Sequence, residues 1–217
     1  SVIPEIIDPS ILYIEATTSI YYDTSRTSQR PEQIQTKVVA GLESYLKQSQ
    51  TEKFNGKFRY SKFVSTIDNA DSTINSNTTK LILRKDFYPQ INSKSFYEIC
   101  YQNPFDKECD GFTISSSGFR VTEFPTYTVY LEDRDGAIAL YRLDTLTGEK
   151  ITLNDSIGTV DYEKGEIKLY DLTIVKGSFS DNRIELRATP LNDDIIAKRE
   201  VYLDVDLTRS KFTAYPE

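Results

Sequence analysis

Residues 11–23, ILYIEATTSIYYD, alternate strictly. Leu12, Ile14, Ala16, Ile20 and Tyr22 fall on one face, and Tyr13, Glu15, Thr17 and Ser19 on the other. With so many β-branched and aromatic residues, this pattern predicts a long, half-buried strand. After a polar loop the period changes. Ile34, Val38, Leu42, Tyr45 and Leu46 recur at helical spacing, so an amphipathic helix is expected from about Pro31 to Gln48. Pro31 suits the first helical turn and Glu32 the positive end of the helix dipole. Gly41 costs such a helix about 1 kcal/mol relative to Ala, and a close packing contact is the reading given to it.

FNGKFRY (54–60) carries a turn at Asn55-Gly56. A short helix is predicted from about Ser61 to Asn69, with Phe63, Val64 and Ile67 on one side and Ser61 as its N-cap. TTKLILRKDFY (78–88) is the next strand, with Leu81, Leu83 and Phe87 on one face. Strand, helix, helix, strand describes a small α/β unit that buries both helices on one face of a sheet.

From about Phe96 the texture becomes that of short strands: FYEICYQ, GFTISSSGFRV, TYTVYLED, RIELRATP and REVYLDVDL. Three turns punctuate this part, at Asp135-Gly136, at Thr147-Gly148 and at Glu163-Lys164-Gly165. The fold class is therefore α+β: an α/β unit over 1–124, then a β-rich antiparallel unit over 125–217. The join falls near TEFPTY, where Pro125 interrupts, with Pro89 almost as good a place.

The stretch TIDNADSTINSN (66–77) poses the sharpest chemical question. Asp68 and Asp71 suggest a metal loop or an acid pair. A calcium loop counted from Asp68 needs Gly at its sixth position and Glu at its twelfth, where this chain has Thr73 and Thr79. Asp, Asn, Ser and Thr are what a helix end and a strand start use, so the stretch reads as a connector, with Asp68 and Asp71 accepting from its backbone N–H groups. Asp133 and Asp135 flank a hairpin tip, and Asp193 and Asp194 read as loop.

Composition narrows the chemistry. The 217 residues contain no His, which removes the usual general base and the commonest metal ligand. No catalytic, cofactor-binding or metal residue is expected, and no enzymatic activity. A net charge of −7 with scattered basic residues argues against nucleic acid and against an anionic membrane as partners. No apolar run approaches the roughly 20 residues of a membrane helix. The chain has no Met, which suggests a processed product or a piece of something larger. Cys100 and Cys109 read as free thiols rather than a disulfide framework. Fifteen tyrosines include Tyr13 and Tyr21 on polar strand faces, which fits either a protein–protein interface or ordinary sheet surface.

IDPSILYIEATTSIYYD, FNGKFRYSKFVSTIDNADSTINSNTTKLILRKDFYP and, later, LNDSIGTVDYEKGEIKLYDLTI and NDDIIAKREVYLDVDLTRS resemble the C-terminal part of baseplate wedge proteins of T-even-type contractile-tailed phages, the baseplate-J-like family. The resemblance implies a structural subunit of a virion tail baseplate, assembled in the host cytoplasm. It also implies a homodimer within a ring around the tail hub, with other wedge subunits as partners. A carbohydrate-binding or adhesin-type β module is the alternative, and a glycosidase with paired carboxylates a third class.

Overall fold

A computed structural model describes residues 10–49, 51–107, 113–198 and 201–217. In chain order its elements begin with β1 (Ser10–Tyr22), α1 (Pro31–Gln48), β2 (Lys57–Phe58), α2 (Tyr60–Asp68) and β3 (Ile74–Phe87). They continue with β4 (Lys94–Cys100), β5 (Ile114–Ser116), β6 (Arg120–Val121), β7 (Val129–Arg134), β8 (Ala137–Leu143), β9 (Lys150–Asp161) and β10 (Glu166–Lys176). The last four are β11 (Ile184–Ala188), β12 (Ile195–Ile196), β13 (Val201–Val205) and β14 (Lys211–Pro216). The α+β class is as read from the sequence. The chain packs as two compact units, Ser1–Leu81 with Asp193–Glu217, and Ile82–Asn192. Neither division falls at the expected 124/125 boundary. TEFPTY lies inside the second unit, between β6 and β7.

In the first unit, β1 is the central strand. Its face of Leu12, Ile14, Ala16, Ile20 and Tyr22 is buried as the alternation predicts. Thr18 shares that face and joins the Thr79 hydroxyl of β3 at 3.0 Å, so a buried polar position is satisfied from the neighbouring strand. β13 and β14 both pair with β1 in parallel, Leu12 opposite Leu203 and Ile20 opposite Ala214. A parallel partner needs a crossover connection, which is why local strand patterns gave no sign of this return. α1 buries Ile34, Val38, Leu42 and Leu46 and packs against α2 and β14.

Gly41 departs from its expected role. A Cβ there would meet Ala70 Cβ at 3.7 Å and Thr66 Cγ2 at 4.0 Å, which is ordinary contact rather than a clash. β3 begins at Ile74, not at Thr78, so Ile74–Asn77 belong to the strand and the true connector is only residues 69–73.

The second unit is built on the last residues of β3, with β11 antiparallel to it and the order continuing through β5, β7, β8, β9 and β10 to β4. All three predicted turns form. Asp135 and Gly136 both have positive φ, 47° and 90°, the two-residue turn that continues the twist of its strands. Gly165 has φ 64°, and a Cβ there would lie 1.9 Å from the Asn103 carbonyl oxygen, so only Gly fits. Tyr101 is fully buried, and its hydroxyl donates to the Leu186 carbonyl at 2.7 Å.

Candidate functional site

The two aspartates of the connector prove to do different work. Asp71 Oδ1 accepts from the Thr73 N–H at 3.0 Å and from the Thr73 hydroxyl at 2.6 Å, an Asx-turn that launches β3. Its Oδ2 takes the Lys37 ammonium from α1 and Gln29 Nε2 at 3.3 Å. Lys37, then Thr73, hold the Asp71 carboxyl well below the usual carboxylate range. Asp68 is exposed and accepts one hydrogen bond, from Asn77 Nδ2 at 2.7 Å. The two therefore do not converge on one ligand position. Ile67 is fully buried and Ile74 half-buried, so apolar packing anchors the near end of the connector more firmly than the far end.

The expected cap Ser61 is not the cap of α2. The helix starts at Tyr60 with Arg59 at the N-cap, and Arg59 makes no side-chain cap hydrogen bond. Asp194, far along the chain, supplies the acceptor instead. Its Oδ1 takes the Tyr60 N–H at 2.9 Å, while Oδ2 pairs with Arg59 at 2.6 Å. Arg59 and the Tyr60 N–H lower the Asp194 carboxyl. The acid at a helix N-terminus is a readable signal, but its source 134 residues away is not.

Asp133 is buried, and it accepts the Ile114 N–H at 2.6 Å and the Tyr162 hydroxyl at 2.7 Å. Next to it the Glu132 carboxylate, 1% exposed, is held by Arg134 at 2.7 Å and by Lys150 at 2.6 Å. Both acids are taken up in joining strands.

Among the described residues, one group has metal-ligand geometry: Glu98, Cys100 and Glu166, whose donor atoms lie within 4.8 Å of one another. The Lys168 ammonium already stands beside it, 2.9 Å from Glu166 Oε1 and 3.9 Å from Glu98 Oε1. The Glu98 carboxyl is pushed up by its hydrogen bond with Glu166 and by that neighbour's charge. Lys168 is the cation these acids share. Cys100 is exposed on β4, and Cys109 lies outside the described residues.

A cavity of about 290 Å³ in the second unit has a floor of Leu140, Ile157 and Leu172. Phe124, Tyr170, Asn154 and Asp171 stand around it. Of the surface tyrosines, Tyr21 is half-buried and stacks on Tyr215 with ring centroids 5.7 Å apart.

Residues 10–86 match the family model described as baseplate structural protein gp6, C-terminal domain III. This supports a phage baseplate protein with a structural rather than an enzymatic role. The matched stretch is 77 of the 217 residues and runs from the first residue of β1 to Asp86, one short of the end of β3. Apart from Phe87, the strand–helix–helix–strand order and the Asp71 connector thus lie inside the gp6-like stretch. The likeness to the baseplate-J-like family in particular is carried by the sequence resemblance alone. No curated protein matches the chain.

Proposed function

We propose that the chain is a structural subunit of a contractile phage tail baseplate wedge, associating with itself and with other wedge proteins to build the ring around the tail hub. The gp6 match over residues 10–86 is the observation that carries this reading. The uses found for these acids agree with it: Asp71, Asp133, Glu132 and the exposed Asp194 each hold strands, turns or helix ends together. Such a subunit works by presenting rigid surfaces. Antibody raised against the chain should label the baseplate end of purified tails. Labelling elsewhere on the virion, or none on tails with accessible baseplates, refutes the assignment.

A carbohydrate-binding β module is the second reading, and one observation favours it. The cavity beside Tyr170 sets two aromatic rings next to Asp171 and Asn154 over an apolar floor, the combination that grips a sugar ring and its hydroxyls. Glycan-array binding that is lost in Tyr170→Ala supports it, and an array without hits rejects it.

A further inference from the structure

β4 is the last strand in the order of the second unit and pairs with β10 alone among the described residues. Free edges are usually blunted by Pro, by bulges, by short length or by charged side chains, and of these β4 has only the charges of Lys94 and Glu98, which are of opposite sign. β4 has seven residues, KSFYEIC, without Pro or Gly. The irregularity in this pair sits on β10, where Leu169 and Leu172 face Tyr97 and Ser95 and Asp171 takes φ 54°. β4 itself therefore stays regular. The Tyr101 N–H, just past its end, donates to the Gly165 carbonyl at 2.8 Å. Because hydrogen-bonding directions alternate along an antiparallel strand, Lys94, Phe96 and Glu98 turn their backbone N–H and C=O groups outward. All three side chains are exposed, Phe96 by 55%, and its ring stacks on Tyr170 of β10 at 5.7 Å.

We propose that β4 is a self-complementary edge, to which a second copy of this chain adds antiparallel about a two-fold axis through Phe96. The proposal rests on the self-association in the reading above and names its surface. A two-fold axis normal to the sheet keeps each side chain on its own face, so residues of like parity must pair. Several centres are then available within the strand, and one on Glu98 sets carboxylate against carboxylate and Phe96 against Cys100. Centring on Tyr97 sets Phe96 against Glu98 and Lys94 against Cys100. Centring on Ser95 sets Lys94 against Phe96. Centring on Phe96 sets ring on ring and Lys94 against Glu98 twice, so each outward-facing pair is matched in charge or apolarity.

That register also uses the outward backbone groups. Phe96 exchanges two hydrogen bonds with its copy, and Lys94 and Glu98 exchange two more at each end. Charge favours it a second time. Glu98 and Glu166 both stand beside Lys168, and the copy's Lys94, whose partner within its own chain is Asp171 at 3.3 Å, brings Glu98 a second cation.

Sedimentation velocity over a concentration series tests the edge, using the full chain. The wild type should show a monomer–dimer equilibrium. Lys94→Glu and Glu98→Lys should each raise the dissociation constant about tenfold or more, since each sets like charges opposite at two places. Mixing the two variants should restore association as a heterodimer, because each supplies the charge the other lacks. Both positions are exposed, and circular dichroism of the variants should match the wild type. A wild-type dimer that neither variant weakens overturns the β4 edge and leaves self-association standing. Weakened variants that fail to recover on mixing overturn the Phe96-centred register. A wild type that stays monomeric overturns both the edge and self-association by this chain.

Discussion

Replacing Asp71 by Ala should destabilise the first unit far more than replacing Asp68. Asp71 Oδ1 satisfies the N–H and hydroxyl of Thr73, a residue 5% exposed. Leaving a buried N–H without an acceptor costs about 1–3 kcal/mol. The Lys37 pair adds less, roughly 0.2–1 kcal/mol, because the lysine is 46% exposed. The sum is about 1–4 kcal/mol, or a fall in Tm of roughly 3–15 °C for a chain of this size. Asp68→Ala loses one exposed hydrogen bond to Asn77 and should stay within about 0.5 kcal/mol. The comparison is made by urea denaturation followed by circular dichroism. The pH dependence gives a second check. The folded-state pKa of Asp71 is depressed, so its contribution is complete above the ordinary carboxylate value and is lost as pH falls through the folded one. The gap between wild type and Asp71→Asn should be constant from neutral pH down to about 5 and close below about 4. Equal losses for Asp68→Ala and Asp71→Ala, or a gap that widens in acid, would refute the argument.

Gly41→Ala should stabilise the chain by about 0.5–1 kcal/mol in thermal melts, since the helix gains and the added methyl meets only ordinary contacts. Gly165→Ala should cost more than about 2 kcal/mol in the same assay, because its φ is positive and the methyl collides with the Asn103 carbonyl. Asp194→Ala should cost about 1 kcal/mol, with Asp194→Asn recovering part of it by keeping an acceptor for the Tyr60 N–H. Thiol titration of unfolded protein without added reductant should count two free sulfhydryls. In the folded chain Cys100 should react more slowly at neutral pH than a free thiol does, because partial burial and then the Glu166 and Glu98 charges push its pKa up.

Much of this fold is local and was therefore legible. The period of two in β1 names its buried face, the helical spacing of Ile34, Val38, Leu42 and Leu46 names the core stripe of α1, and the three Gly-bearing turns fall where they were placed. What could not be read depends on pairing over long separations. Thr18 is a polar residue on the apolar face of β1, and the partner that makes it fit there, Thr79, comes from β3. Ser61 stood where a cap residue belongs, but Asp194 reached the helix end first. Asn75 and Asn77 have loop composition, yet the Asx-turn at Asp71 starts the strand before them. The expected division at 124/125 differs from these two compact units for the same reason. It assumed that neighbours in sequence pack together, whereas residues 193–217 close the unit that begins with β1.

That return has a consequence for how the chain comes to be folded. Ser210 Oγ accepts the Ala16 N–H across a sequence separation of 194 residues, and both β13 and β14 pair with β1. On the ribosome, α1, α2 and β1 emerge early and must wait, while the whole of 82–192 can complete its own antiparallel pairings. The closing contacts are of high order in the sequence, so they come late and slowly. For that interval β1 offers an open parallel edge rich in Ile and Tyr. Removing the last 25 residues, Asp193–Glu217, would therefore damage the beginning of the molecule rather than its end.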